Sequence, residues 1–186
     1  MPFLMVIVVS THWKSVASDI HIIYNERNME LNEHNKQEFP PMHTAEHILN
    51  GTMVKMIGCR RADSAHIERK KSKCDYNLPQ PLATEQVQAI EAKVNEVIDA
   101  DMPVTVEYAT QSEVKERFDM ERLPDDASET VRIVHVGDYD ECLCVGAHVE
   151  HTAQIGKFRI SSTRYQDGVQ RIVFRLDLPA ESPFLA

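Results

Sequence analysis

His43 and His47 stand four positions apart in His43-Thr44-Ala45-Glu46-His47, and Cys144 and His148 repeat that spacing in Cys144-Val145-Gly146-Ala147-His148. Helical residues at i and i+4 lie one above the other on one face, so both imidazoles of the first pair can reach a single ion. The second pair adds a thiolate and a third imidazole, and three nitrogens with one sulfur form an ordinary tetrahedral zinc sphere. In a chain with 9 histidines a lone His-x-x-x-His carries little weight, because a solvated helix face produces it too. Its coincidence with a second, Cys-containing pair in a segment patterned as strand and turn is what points to Zn2+. Such a site joins distant stretches, so the metal closes a long loop and stabilises the fold as well as serving chemistry.

Around these four residues, Glu46 is the nearest carboxylate for general-base work, although a surface glutamate facing solvent fits the same pattern. Thr44 offers a hydroxyl that can meet a substrate hydroxyl or simply pack. Cys142 is a spare ligand or a small core residue, while Cys59 and Cys74 read as packing residues. Three-His-one-Cys ligation leaves two roles open for the zinc: it acts directly on the attacking water or the carbonyl, or it shapes a pocket in which a side chain orients the water. His43-Thr44-Ala45-Glu46-His47 also satisfies the His-x-x-Glu-His pattern of inverted zinc proteases, but those need a carboxylate as third ligand, and Cys144 and His148 leave it no vacancy.

These residues need elements to carry them. Phe39-Pro40-Pro41 stops whatever precedes it, and a helix is expected from Met42 or His43, with one buried face made by Ala45, Ile48, Leu49, Thr52, Met53 and Met56, ending at Gly58. A second helix is expected after the N-cap Thr84, with Val87, Ile90, Val94, Val97 and Ile98 on its apolar face. A strand follows at 104–108. A capping-box helix is expected at Thr110-Gln111-Ser112-Glu113, and strands at 131–136, 155–160 and 169–176. Short turns between these late strands imply antiparallel pairing, so the expected class is α+β: helices on one side of a mostly antiparallel sheet, pinned by zinc. The stretch from Cys59 to Asn77 reads as a solvated hairpin or, through Arg60, Arg61, Arg69, Lys70, Lys71 and Lys73, as a phosphate-binding patch.

With 186 residues, a 42% hydrophobic and a 26% charged fraction, the chain reads as one globular domain with a short appendage. Its net charge of −9 excludes a protein coated in positive potential, so nucleic acid would have to bind a local patch. Four irregularly spaced cysteines do not make a disulfide framework and fit a reducing cytoplasm. The apolar run 3–9 is too short to span a membrane and lacks the basic flank of a secretory signal. It reads as an edge strand, or as an extension upstream of a start at Met29.

The paired motifs resemble the zinc-binding signature shared by the editing domains of alanyl- and threonyl-tRNA synthetases and the free-standing AlaX proteins. The likeness extends through Val131-Arg132-Ile133-Val134, the run from His148 to Gly156, and Gly168-Val169-Gln170-Arg171-Ile172. The resemblance implies an editing-domain fold over residues 41–178, preceded by an extension or edge element at 1–40 and followed by a tail at 179–186. It implies a free-standing, metal-dependent aminoacyl-tRNA deacylase that acts in trans, with tRNA as partner. The expected substrates are tRNA for alanine wrongly carrying serine or glycine. Phosphate contacts would come from Arg60, Arg61, Arg69, Lys70, Lys71 and Lys73, with Arg159, Arg164 and Arg171 as a second group; Asp75 and Tyr76 would lie near the pocket. The chain departs from the alanyl pattern Cys-Gly-Gly-Thr-His at Val145 and Ala147, and Cys142 stands where an acidic residue is common. A zinc-stabilised RNA-binding module without chemistry is the alternative.

Overall fold

The computed structural model describes residues 39–120, 123 and 128–185, so the expectations for the apolar run and the start at Met29 lie outside the described residues. Helix α1 runs Pro40–Ile57. It opens two residues earlier than expected because proline, lacking an N–H, is at home in a helix's first turn. Its residues from Pro41 to Met53 are buried almost all round, not on one face. The cause is its place in the fold: it packs on helix α2 (Thr84–Asp99), on strand β7 (Val169–Asp177) and on strand β5 (Asp140–Leu143).

The α+β class is as expected, with the antiparallel strands divided between two sheets. One has the order β1 (Ser64–His66), β2 (Ser72–Asn77), β7, β6 (Lys157–Gln166); the other is β3 (Val104–Thr110), β4 (Thr130–Val136), β5. The inner face of the larger sheet gives Cys74, Tyr76, Phe158, Ile172 and Phe174 to one core with Met42, Ala45, Ile48, Leu49 and Met53 of α1 and Ile90 and Val94 of α2. A smaller cluster of Val114, Val131 and Ile133 lies under the short helix α3 (Gln111–Val114). The capping box expected there is present: Thr110 N–H donates to the Glu113 carboxylate at 2.8 Å. At α2 the N-cap is Ala83, one residue before the expected Thr84, with Gln86 Oε1 accepting the Ala83 N–H at 2.9 Å.

The run from His148 to Gly156 bolts the ligand-bearing loop onto both long helices. Val149 N–H donates to Thr44 Oγ1 on α1 at 3.2 Å, while the Thr152 hydroxyl reaches the terminal carbonyls of α2, Val97 O and Ile98 O, each at 3.1 Å. Gly156, with φ +76, lets this run pass so close to the end of β7 that a Cβ would sit 2.3 Å from Asp177 O. Among the described residues no helix is long and apolar enough to cross a membrane.

Candidate metal centre

The first turns of α1 present His43 and His47, and the loop leaving β5 presents Cys144 and His148; one donor atom from each lies within 4.8 Å of all the others. Cys144 Sγ is 3.4 Å from both His43 Nε2 and His148 Nε2, and the His43 and His148 rings are 4.3 Å apart by centroid. The four residues picked out by spacing thus converge on one point.

Their chemistry fits a cation. Burial, reinforced by the neighbouring His43 and Arg132, pushes His148 down to about 3, and burial holds His47 well below its ordinary value, so both imidazoles stay in the neutral form that binds metal. His47 Nδ1 is buried with no hydrogen-bond partner, an orphan polar atom of the kind that ligation satisfies. Burial raises the Cys144 thiol to about 12, so a thiolate there calls for a neighbouring cation to stabilise it.

Thr44 is fully buried, and its hydroxyl is fully engaged. Its O–H donates to Pro40 O at 3.0 Å, so its oxygen accepts from Val149 N–H and from His148 Nδ1, 3.1 Å away. In that arrangement His148 carries its proton on Nδ1 and has Nε2 bare toward Cys144. The expected substrate contact at Thr44 is therefore corrected: no atom of its hydroxyl faces solvent, and the residue instead contacts His148 and Val149.

Arg132 was legible only as part of a strand motif. Its Nη1 donates to Cys144 O and Gly146 O, both at 2.8 Å, and Cys144 N–H donates back to Arg132 O at 3.0 Å, so one guanidinium shapes the ligand loop. Arg132→Ala is expected to weaken metal binding by about 10–100-fold with the fold retained, as outer-sphere losses do. Chelator competition beside a circular-dichroism spectrum checks it, and wild-type affinity would remove this role.

Glu46 is not a solvent-facing surface residue: its side chain is 13% exposed and its Oε2 lies 4.0 Å from His47 Nε2. Asn50 Nδ2 donates to Glu46 Oε1, and Asn50 Oδ1 in turn accepts the Ala62 N–H at 2.8 Å. Burial pushes the Glu46 carboxyl up to about 7, against the pull of Arg61. Glu46 and Asn50 line a cleft of about 240 Å³ with Arg61, Ala62, Phe118, Cys142 and Leu143. Cys142, on β5 two residues before Cys144, lines this cleft and is not among the four donors.

The basic stretch is dispersed. Arg61 turns inward and is held by both oxygens of Asp140, at 2.8 and 2.9 Å, which removes it from the candidate phosphate contacts. Arg60 pairs with Asp119 at the surface, and Arg69 donates to Phe184 O at 2.9 Å. Lys70 and Lys71 are exposed at the turn between β1 and β2. Lys73 lies on the outward face of the larger sheet, where the strand register adds Arg159 opposite Arg175 and Arg164 opposite Arg171. Asp75 is on that face too, paired with Arg171 at 2.6 Å, while Tyr76 points into the core; neither lines the cleft. None of the four cysteines is in a disulfide.

Residues 131–173, which include Cys144 and His148, match the model of the threonyl and alanyl tRNA synthetase second additional domain. Alanine–tRNA ligase of Fervidobacterium nodosum is 35% identical over 132 residues, 70% of this chain and 15% of that protein. The same enzyme of Coxiella burnetii is 31% identical over 132 residues, again 70% and 15%, and that of Treponema denticola 30% identical over 144 residues, 76% and 24%. The chain thus spans 15–24% of the length of these relatives. With its ligand-bearing loop inside the matched stretch, the chain is a relative of the alanyl-tRNA synthetases that resembles, and over residues 131–173 matches, their second additional domain.

Proposed function

We propose that this chain is an aminoacyl-tRNA deacylase that acts in trans on tRNA for alanine wrongly charged with serine or glycine, with Zn2+ held by His43, His47, Cys144 and His148. The observation that carries the reading is the convergence of those four donors next to Glu46, whose Oε2 lies 4.0 Å from His47 Nε2 and which, with Asn50, Cys142 and Leu143, lines a cleft with room for an aminoacyl group. Such an activity answers a physical need, because binding alone separates small side chains, or an apolar one from its hydroxylated isostere, by only about 10²-fold.

In the reaction, the oxygen of a water adds to the ester carbonyl carbon while Glu46 takes its proton; the bond from that carbon to the ribose oxygen then breaks, and the proton passes to the leaving oxygen. Asn50 keeps the Glu46 carboxylate aimed into the cleft, and Thr44 holds His148 in the tautomer that leaves Nε2 bare. Zinc, when bound, supplies positive charge that polarises a carbonyl oxygen and offsets the charge growing on it.

For the RNA, Lys70, Lys71 and the outward Lys73, Arg164 and Arg175 offer cations on an acidic chain, while Arg159 and Arg171 on the same face are paired with Asp177 and Asp75, and binding through such cations weakens steeply with salt. Cysteines that form no disulfide suit a reducing cytoplasm. The test is deacylation of tRNA for alanine charged with serine, glycine or alanine. Selective loss of the serine or glycine ester is expected, and no turnover above the blank on any of them would overturn the reading. That second outcome would favour a zinc-stabilised RNA-binding module, the reading that a closed set of four donors supports by itself.

A further inference from the structure

Gly51 sits in the interior of α1, where glycine is the poorest helix former after proline, so something other than propensity keeps it there. It continues the stripe of the two ligands: His43, His47, Gly51 and Lys55 follow one another at i+4 along one side of the helix. That stripe runs alongside the segment entering and leaving β5. Lys55 Nζ donates to Tyr139 O; the next residue, Asp140, seats against Gly51; and Cys144 closes on His43.

At Gly51 the fit is tighter than any side chain permits. A Cβ there would stand 2.8 Å from Asp140 Oδ1, 3.1 Å from its Cγ and 3.2 Å from its Cβ. Asp140 cannot swing aside at low cost, because Arg61 binds both of its oxygens in a planar fork and its side chain is only 6% exposed. The lengths also agree. Eight helical residues from Gly51 back to His43 cover about 12 Å, and four extended residues from Asp140 to Cys144 cover about 13 Å. Helix and strand, running in opposite directions, therefore meet at two points in step.

We infer that Gly51, Asp140 and Arg61 are positioning residues that set the register of β5 against α1, and through it the placement of the Cys144 thiolate opposite the two helical imidazoles. Arg132 shapes the loop locally; this contact fixes where the loop is delivered. The inference concerns the ligand set, whichever reaction the site performs.

Cobalt(II) titration tests it, because thiolate-to-cobalt charge transfer reports Cys144 separately from the imidazoles. In Gly51→Ala, with helix content retained, zinc affinity is expected to fall about 10–100-fold and the charge-transfer band to weaken relative to the d–d bands. Wild-type affinity and band in a folded Gly51→Ala would overturn the inference. Should Gly51→Ala not fold, Arg61→Lys decides: it keeps the charge but not the fork, and several-fold weaker zinc binding supports the inference whereas wild-type binding overturns it. A wild-type chain that binds neither cobalt nor zinc would instead remove the metal site itself.

Discussion

Cys144→Ala is expected to abolish both tight zinc binding and deacylation, and to remove the dependence of thermal stability on zinc. Three imidazoles remain in that variant, but the one anionic donor is gone and affinity should fall by more than the roughly 100-fold that outer-sphere changes produce. For the wild-type chain, zinc present at 1,000 times its dissociation constant stabilises the folded state by about 4 kcal/mol. For a chain of this size that corresponds to a rise in melting temperature of roughly 8–16 °C. A chelator should therefore lower the wild-type melting temperature by that amount and leave Cys144→Ala almost unmoved. His43→Ala should behave likewise. A chelator shift of equal size in wild type and variant would mean that the ion binds elsewhere.

Glu46→Gln separates chemistry from metal binding. The amide keeps the shape of the side chain and can still meet Asn50, but it cannot take a proton from water. The turnover number on mischarged tRNA is expected to drop about 10²–10⁴-fold, the usual contribution of a general base, with zinc affinity changed only a few-fold. Asn50→Ala should show a weaker form of the same defect, since it removes the group that aims the carboxylate. Undiminished turnover in a zinc-loaded Glu46→Gln would exclude Glu46 as the base and return it to a packing role beside His47.

The convergence of His43, His47, Cys144 and His148 was readable because metal chemistry constrains residue type and i+4 spacing at once, so two short windows suffice. Helices α1 and α2 and strands β4 and β7 were readable from periodicity, and the Thr110 cap from a local pattern. What the sequence concealed depends on residues far apart. That the strands form two sheets follows from which edges pair, and alternation within a strand does not encode its neighbours. The burial of α1 on nearly every side follows from its lying against both sheets. Arg61 looked like one more cation in a basic stretch until Asp140, 79 residues later, met it. Thr44 presents the same hydroxyl whether it faces substrate or His148, 104 residues away. Asn95 sits on the buried side of α2, where apolar periodicity has no place for it, because its amide pairs with both the N–H and the C=O of Phe158.

The split of the donor set along the chain has a consequence for biosynthesis. His43 and Cys144 are 101 positions apart, so a growing polypeptide displays two imidazoles long before it possesses the thiolate. At about 5–20 residues per second the interval is roughly 5–20 s. During it the nascent segment offers only a weak, two-donor site that exchanges its ion freely. With the proposed zinc site, tight capture would wait until β5 has been made and has docked, so retention of the ion would mark a chain whose synthesis and folding have both passed that point.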